Sequence, residues 1–182
     1  MRAAFGERAA GVLARYPLER YGAPGTSRAG HALRDLLTDH LWAAPAVRTN
    51  RLLAAWVPTY AYEFADRRAP WASSTPVTPS FPTGAFHASE LQYLFEASYF
   101  TGRTLAPDQA RLSDTMIGYW SRFARHGDPN GPGAPAWRPA QPGRDAVLRL
   151  APGPRGIGPV DLCRAHRCGF WGAHRQPEGG AG

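Results

Sequence analysis

The chain has 182 residues, the size of one ordinary domain or of part of a larger one. Its net charge of +7 at pH 7 comes from 21 basic residues, all arginine, scattered among 14 acidic ones. Because no basic patch or recognition motif accompanies this charge, the sequence argues against nucleic-acid binding. No apolar run approaches the ~20 residues that span a bilayer, so no membrane segment is expected.

The first third of the chain predicts helices. In "FGERAAGVLARYP" the apolar residues follow helical spacing, and Pro17 ends that helix. Arg and Glu interrupt the start of the chain, so it has no signal-peptide pattern and a cytoplasmic location is the default expectation. A loop follows, then a helix from about Ala32 to Trp42. Pro45 can lie in the first turn of another helix that runs to about Trp56.

The remainder mixes strands, helices and long loops. "PTYAYEFADR" alternates aromatic residues with period two, which predicts a strand, and a long Pro/Ser/Thr loop then leads to His87. "ASELQYLFEASYF" predicts a short helix, and "APDQARLSDTMIGYWSRFARHG" a long amphipathic helix that ends at Gly127. "AVLRLAPG" predicts a second strand, and "DLCRAHRCGFWG" a last helical turn or two. Two strands do not form a stable sheet, so the pattern predicts one end of a larger α/β domain.

His87 is the main candidate for chemistry. It follows a predicted strand and loop and precedes a helix, which is where open α/β sheets place reactive groups. A histidine there can act as a general base because its pKa lies near neutral pH. The structural alternative is a helix cap, since "HASE" places Glu90 at the third position of a weak capping pattern. Asp66 and Asp114, like Glu90, could orient such a base, although a solvated surface position is the default for each.

A serine nucleophile is not evident in the sequence. The nearest string, "GTSRAG", has its second glycine one place too late for a G-x-S-x-G elbow, and no strand precedes it. Ser27 is therefore interpreted as a loop residue, with Thr26 or Ser27 capping the next helix. No glycine-rich oxyanion string is present either.

Near the C-terminus, Cys163, His166, Cys168 and His174 form a C-x2-H-x-C-x5-H cluster. Such ligands could hold zinc, but the spacing is not that of a standard finger. Packing or a local disulfide is the favoured interpretation, and we predict neither a metal nor a cofactor.

Several stretches, in order, resemble the C-terminal part of type-B carboxylesterases of the bacterial para-nitrobenzyl-esterase kind. They are "GVLARYP", "LTDHLWAAPAVRTNRLLA", "TYAYEFA" followed by "GAFHASELQYLF", "MIGYWSRFARHGDPNGPGAPAWRP" and "CGFW". The histidine loop together with "FARHGDPN" is the most specific combination. The resemblance extends from about Val12 to Trp171.

The resemblance implies an α/β-hydrolase fold and a Ser–Glu–His triad in which His87 matches the histidine. The fold class expected is α/β, as the C-terminal part of an α/β-hydrolase with few strands, several helices, long loops and an incomplete sheet. Residues 1–175 would form that portion and residues 176–182 a disordered tail. The elbow, the oxyanion loop and the acid have no match, and Ala88 stands where the family often has glycine.

Two functions remain open. The chain could contribute the histidine base to a hydrolase of small-molecule carboxylesters, completed by an upstream segment or a partner chain. Alternatively, it could be a non-catalytic relic or interaction module derived from that family. In either case the chain is expected to be inactive as an esterase, and only marginally stable, when isolated.

Overall fold

The computed structural model describes residues 1–22, 27–71, 82–95 and 104–173, and the chain divides into two units. Unit 1 comprises Met1–Arg48 with the chain from Leu162 onward, and unit 2 comprises Thr49–Asp161. The predicted tail, residues 176–182, lies outside the described residues, as do Thr26 and His174. Within the described residues, no helix has both the length and the apolar character needed to cross a bilayer.

Helices dominate the part of the chain before residue 54, as predicted. They are α1 (Arg2–Phe5), a 3-10 turn (Gly6–Arg8), α2 (Ala9–Arg15), a second 3-10 turn (Leu18–Tyr21), α3 (Arg28–Leu37), a π-helical segment (Thr38–Ala43) and α4 (Ala44–Leu53). The last helices of unit 1 are α6 (Leu162–Ala165) and α7 (Cys168–Ala173). Their buried contacts form one apolar cluster of Val12, Tyr16, Ala32, Leu36 and Trp171.

The π-helical segment joins two helices that the sequence predicts as separate. Pro45 lies in the first turn of α4, as expected, but no loop precedes it. A proline has no amide hydrogen, and its ring crowds the preceding turn of an α-helix. The wider π-helical turn immediately before α4 accommodates that residue without ending the helix. A sequence rule that treats proline as a boundary therefore divides one continuous helical run.

Unit 2 contains a three-stranded sheet in the order β1-β2-β3. β1 (Ala61–Phe64) pairs in parallel with β2 (Val147–Leu150), and Ala61 lies opposite Val147. β3 (Gly158–Val160) pairs antiparallel with β2. β3 is not predicted from the sequence because glycine and proline are poor strand formers, and proline is tolerated here because β3 lies at the edge of the sheet.

The long helix α5 (Pro107–His126) packs against this sheet's core. It has 20 residues and ends at Gly127, whose φ of 71° is the left-handed conformation typical of a helix C-terminus. The apolar stripe predicted for this helix comprises Leu112, Met116, Tyr119, Trp120 and Phe123, of which Trp120 is half-buried and Phe123 is exposed. Leu112, Met116 and Tyr119 are buried, as predicted. They join Ala69, Tyr93, Trp137, Leu148 and Leu150 in the core of unit 2.

The turn in "GDPNGPGAPAW" is held by hydrogen bonds between its side chains and the backbone. The Asn130 side chain donates a hydrogen bond to the Trp137 carbonyl and accepts one from the Trp137 amide. The Trp137 indole in turn donates to the Ala61 carbonyl in β1 over 3.0 Å. This specific string thus joins the end of α5 to the sheet. Helices around a small, open, three-stranded sheet confirm the predicted α/β class with few strands.

Candidate active site around His87

His87 lies on an exposed turn between Pro82–Phe86 and a 3-10 helix, Ser89–Tyr93. The Ser89 amide donates to the Phe86 carbonyl over 3.0 Å, which closes the turn around His87. Ala88 has a φ of 67°, a left-handed conformation that is uncommon outside glycine. The backbone therefore presents the histidine side chain at the surface of unit 2.

The alternative role of His87 as a helix cap is wrong. Ala88 occupies the N-cap of the 3-10 helix, and no side chain makes a capping hydrogen bond there. Glu90 lies half-buried near the sheet. Burial and then the Glu90 carboxylate raise the pKa of Tyr62 in β1. The apparent capping pattern fails because the left-handed residue shifts the helix start by one position.

A buried carboxylate anchors the segment that carries His87. Asp66, just after β1, is only 1% exposed. It accepts hydrogen bonds from the Tyr93 hydroxyl at 2.5 Å, the Gln109 amide at 2.7 Å and the Arg68 backbone at 2.8 Å. Burial and the hydrogen bond to Asp66 raise the pKa of Tyr93, so Tyr93 remains a donor. One carboxylate thus ties together the end of β1, the 3-10 helix and the start of α5.

Further contacts hold the same segment from both sides. The Ser113 hydroxyl in α5 donates to the Tyr93 carbonyl over 2.7 Å. Gln92 donates to the carbonyls of Pro70 and Ser89. Phe86, next to His87, packs against the core and lies 4.8 Å from the Trp71 ring. His87 is therefore an exposed residue on a well-anchored support, which is how catalytic side chains are commonly presented.

The three acids considered as partners of His87 have different positions. Asp66 is a buried anchor, so the expectation of a solvated position is wrong for it: its negative charge is stabilised by three hydrogen-bond donors. Asp114 is exposed on α5, as expected. Glu90 is intermediate in exposure.

The other residues singled out in the sequence are Ser27 and the cysteine and histidine cluster near the C-terminus. Ser27 precedes α3 at the N-cap, but its side chain makes no capping hydrogen bond, so the predicted cap is wrong for this residue. Cys163 and Cys168 are both thiols, so the local disulfide is also wrong. His166 hydrogen-bonds to Asp39.

Asp39 is the centre of a cluster in unit 1 that the sequence analysis missed. It is 2% exposed and accepts hydrogen bonds from Tyr16 at 2.8 Å, His166 at 2.8 Å and Arg167 at 2.7 Å. Burial by itself would raise the pKa of Asp39, but these three hydrogen bonds outweigh it and lower the pKa below its usual value. Asp39 and its partners are 23 to 128 positions apart in the sequence, so no local motif could have linked them.

Comparison with known proteins identifies the family. The sequence model of the Carboxylesterase family matches residues 9–171. Cocaine esterase from Homo sapiens is 31% identical over 152 residues, which cover 82% of this chain and 25% of that protein. Acetylcholinesterase from Gallus gallus is 32% identical over 142 residues, or 77% of this chain and 18% of that protein.

The match is to part of each relative's length. Bile salt-activated lipase from Homo sapiens is 37% identical over 53% of this chain, which is 12% of that protein. The chain therefore spans a quarter or less of these relatives. The matched region contains the whole His87 segment and the "GDPN" turn. The fold class, the order of the motifs and the family match agree, and this chain belongs to the carboxylesterase family.

Proposed function

We propose that this chain supplies the histidine general base of a serine hydrolase that acts on small-molecule carboxylesters, and that residues 1–175 form the C-terminal portion of its catalytic domain. The observation that carries the proposal is the exposed position of His87 on a turn that Asp66, Tyr93 and Gln109 anchor. A general base has to meet its substrate from a fixed position, and this support provides one.

In the completed enzyme His87 would accept the proton of a serine hydroxyl as that oxygen attacks the ester carbonyl. It would then return the proton to the alcohol that leaves. The sequence has no G-x-S-x-G elbow and no glycine-rich oxyanion string, so a further segment has to supply both, together with the acid. His87 without these groups has no activated nucleophile and no donors for the oxyanion, and the 182-residue chain alone is expected to be inactive.

The sheet offers a place for the completing segment. Within the described residues β1 pairs with β2 and forms one edge of the sheet. An edge strand presents backbone donors and acceptors on its open side, where another strand can pair. The carboxyl end of β1 is close in sequence to the Asp66 anchor of the His87 segment. Extension of the sheet at this edge would bring new loops to the same end as His87.

Three buried polar atoms close to His87 in the sequence or in contact with its segment also support the packing of a further segment here. Ser89 Oγ, Gln92 Oε1 and Trp71 Nε1 have no hydrogen-bond partner in the part of the chain that the structure describes. Leaving such a group buried without a partner costs about 1–3 kcal/mol. Polar atoms from a completing segment would remove that cost.

Complementation tests the proposal. The part of human cocaine esterase that precedes its match to this chain would be co-expressed with the chain, and hydrolysis of a short-chain aryl ester measured. We expect turnover from the complex and none from the chain alone. His87→Ala should lower kcat by about 10³-fold or more, as loss of a triad member does. His126→Ala, on the exposed last turn of α5, is the matched control and should leave kcat unchanged.

The same experiment separates the catalytic role from the non-catalytic alternative. An interaction module predicts a complex that forms and melts cooperatively but hydrolyses no ester. Turnover that His87→Ala does not reduce would also contradict the proposed role of His87, even if the complex proved to be an esterase.

A further inference from the structure

Unit 1 contains a cavity that the proposed esterase role does not use. It has a volume of about 720 Å³ and opens to solvent. Four arginines line it: Arg15 from α2, Arg20 from the second 3-10 turn, Arg164 from α6, and Arg167. Cys163 and Phe170 complete the polar and aromatic parts of its wall. Within the described chain, no aspartate or glutamate is among the lining residues.

Two of the four guanidinium groups are held in defined positions. Arg167 donates to Asp39 over 2.7 Å and lies 4.6 Å from the centre of the Tyr16 ring. Arg15 lies 5.0 Å from the centre of the Phe170 ring. Contacts of a guanidinium with an aromatic face reduce the conformational freedom of the side chain before any ligand binds. Part of the entropic cost of ordering a binding site is thereby already met.

The charge at this wall is positive. Asp39 offsets the charge of Arg167, while Arg15 and Arg20 are exposed at the cavity. A concave surface with one sign of charge concentrates ions of the opposite sign. The planar fork of arginine matches the two oxygens of a carboxylate or phosphate group.

We propose that this cavity binds a small organic anion with at least two carboxylate or phosphate groups. The volume lies within the range of ordinary small-molecule sites, about 300–1,000 Å³. The Phe170 ring offers an apolar surface for the carbon skeleton, and the arginines pair with the charged groups. The arginines outside this cavity are scattered, so the preferred ligand is compact rather than an extended polyanion.

Calorimetric titration of the full 182-residue chain tests the site, with pyrophosphate and citrate as separate probes. Comparison of the two probes shows whether phosphate or carboxylate groups are preferred. The double variant Arg15→Gln/Arg20→Gln should weaken binding by at least about tenfold, because each charge-assisted hydrogen bond is strong. Arg2→Gln/Arg48→Gln removes the same charge from exposed positions of unit 1 and should bind like the wild type. Equal affinities in all three proteins, or no binding of either probe, would overturn the proposal.

Alkylation of Cys163 gives a readout at the cavity itself. The ratio of its rate constants with anionic iodoacetate and neutral iodoacetamide reports the local field. This ratio should fall by about threefold or more in Arg15→Gln/Arg20→Gln and stay unchanged in Arg2→Gln/Arg48→Gln. Saturating pyrophosphate or citrate should slow both reagents at Cys163. Slower labelling of the buried Cys168 shows that each protein is folded, and equal ratios in all three folded proteins would overturn the proposal.

Discussion

The two units of this chain each contain a buried carboxylate with three hydrogen-bond donors, but the donors differ. In unit 1 the donors to Asp39 include Arg167 and His166, so a cation faces the anion. In unit 2 the donors to Asp66 are a phenol, a primary amide and a backbone amide, none of which carries a charge. A charged donor and a set of neutral dipoles can both stabilise a buried anion.

The two buried carboxylates also hold different parts of the molecule in place. Asp66 holds the segment of His87 in place through neutral donors from the 3-10 helix and α5. Asp39 fixes Arg167, a member of the arginine-lined cavity wall, through an ion pair. The carboxylate in unit 2 therefore supports a loop, whereas the one in unit 1 orients a cation.

The largest effect is expected from Asp39→Asn. This change leaves Arg167 and His166 without their anion, and breaking a buried pair in this way should cost about 3 kcal/mol of unfolding free energy. Hydrogen exchange of peptides from α3 would measure the loss. Asp35→Asn is the control, because Asp35 in the adjoining α3 is half-buried, pairs with the partly exposed Arg34 and interacts with Tyr21, and its loss should cost about 1 kcal/mol.

The lowered pKa of Asp39 predicts how the unfolding free energy depends on pH. Its contribution to stability is complete above the pKa of an unfolded aspartate, about 3.9, and is lost as the pH falls through the lower pKa of the folded state. The difference in stability between wild type and Asp39→Asn should therefore shrink below about pH 4. A difference that stays constant down to pH 3 would show that the charge of Asp39 does not stabilise unit 1.

A smaller loss of unfolding free energy is expected from Asp66→Asn. The amide keeps one acceptor but removes the charge and introduces a donor among donors, which should cost about 2 kcal/mol. Hydrogen exchange should rise in residues 82–95, and in the complemented enzyme kcat should fall while the KM changes little. Asp114→Asn, at an exposed site on α5, should change neither quantity. Unchanged exchange in residues 82–95 would refute the role of Asp66 as the anchor of the His87 segment.

The smallest effect should come from Ala88→Gly. The left-handed conformation of Ala88 costs free energy that glycine avoids, partly offset by the greater freedom of glycine in the unfolded chain. We expect a gain of about 0.5 kcal/mol in unfolding free energy, measured by chemical denaturation. Ala124→Gly, within α5, should instead lose about 1 kcal/mol. A loss at both positions would contradict the backbone conformation described for Ala88.

Sequence patterns predicted those elements whose signals are local. The stripe of Leu112, Met116 and Tyr119 indicated α5, and alternation indicated β1, because side-chain periodicity is a property of a short segment. The family was recognisable because several short strings occur in the correct order. Strand β3 was missed because Gly158 and Pro159 pair only when β2 provides the neighbouring backbone.

The sequence by itself determined the family and the α/β class, and it pointed to His87 as the main candidate base. Only the tertiary structure decided that Asp66 anchors this histidine's segment, that Asp39 pairs with residues more than 120 positions away, and that arginines from separate helices line one cavity. Periodicity and motifs act over a few residues, whereas buried charges acquire partners only when distant segments pack together. These contacts depend on distances between side chains, which no local sequence pattern contains.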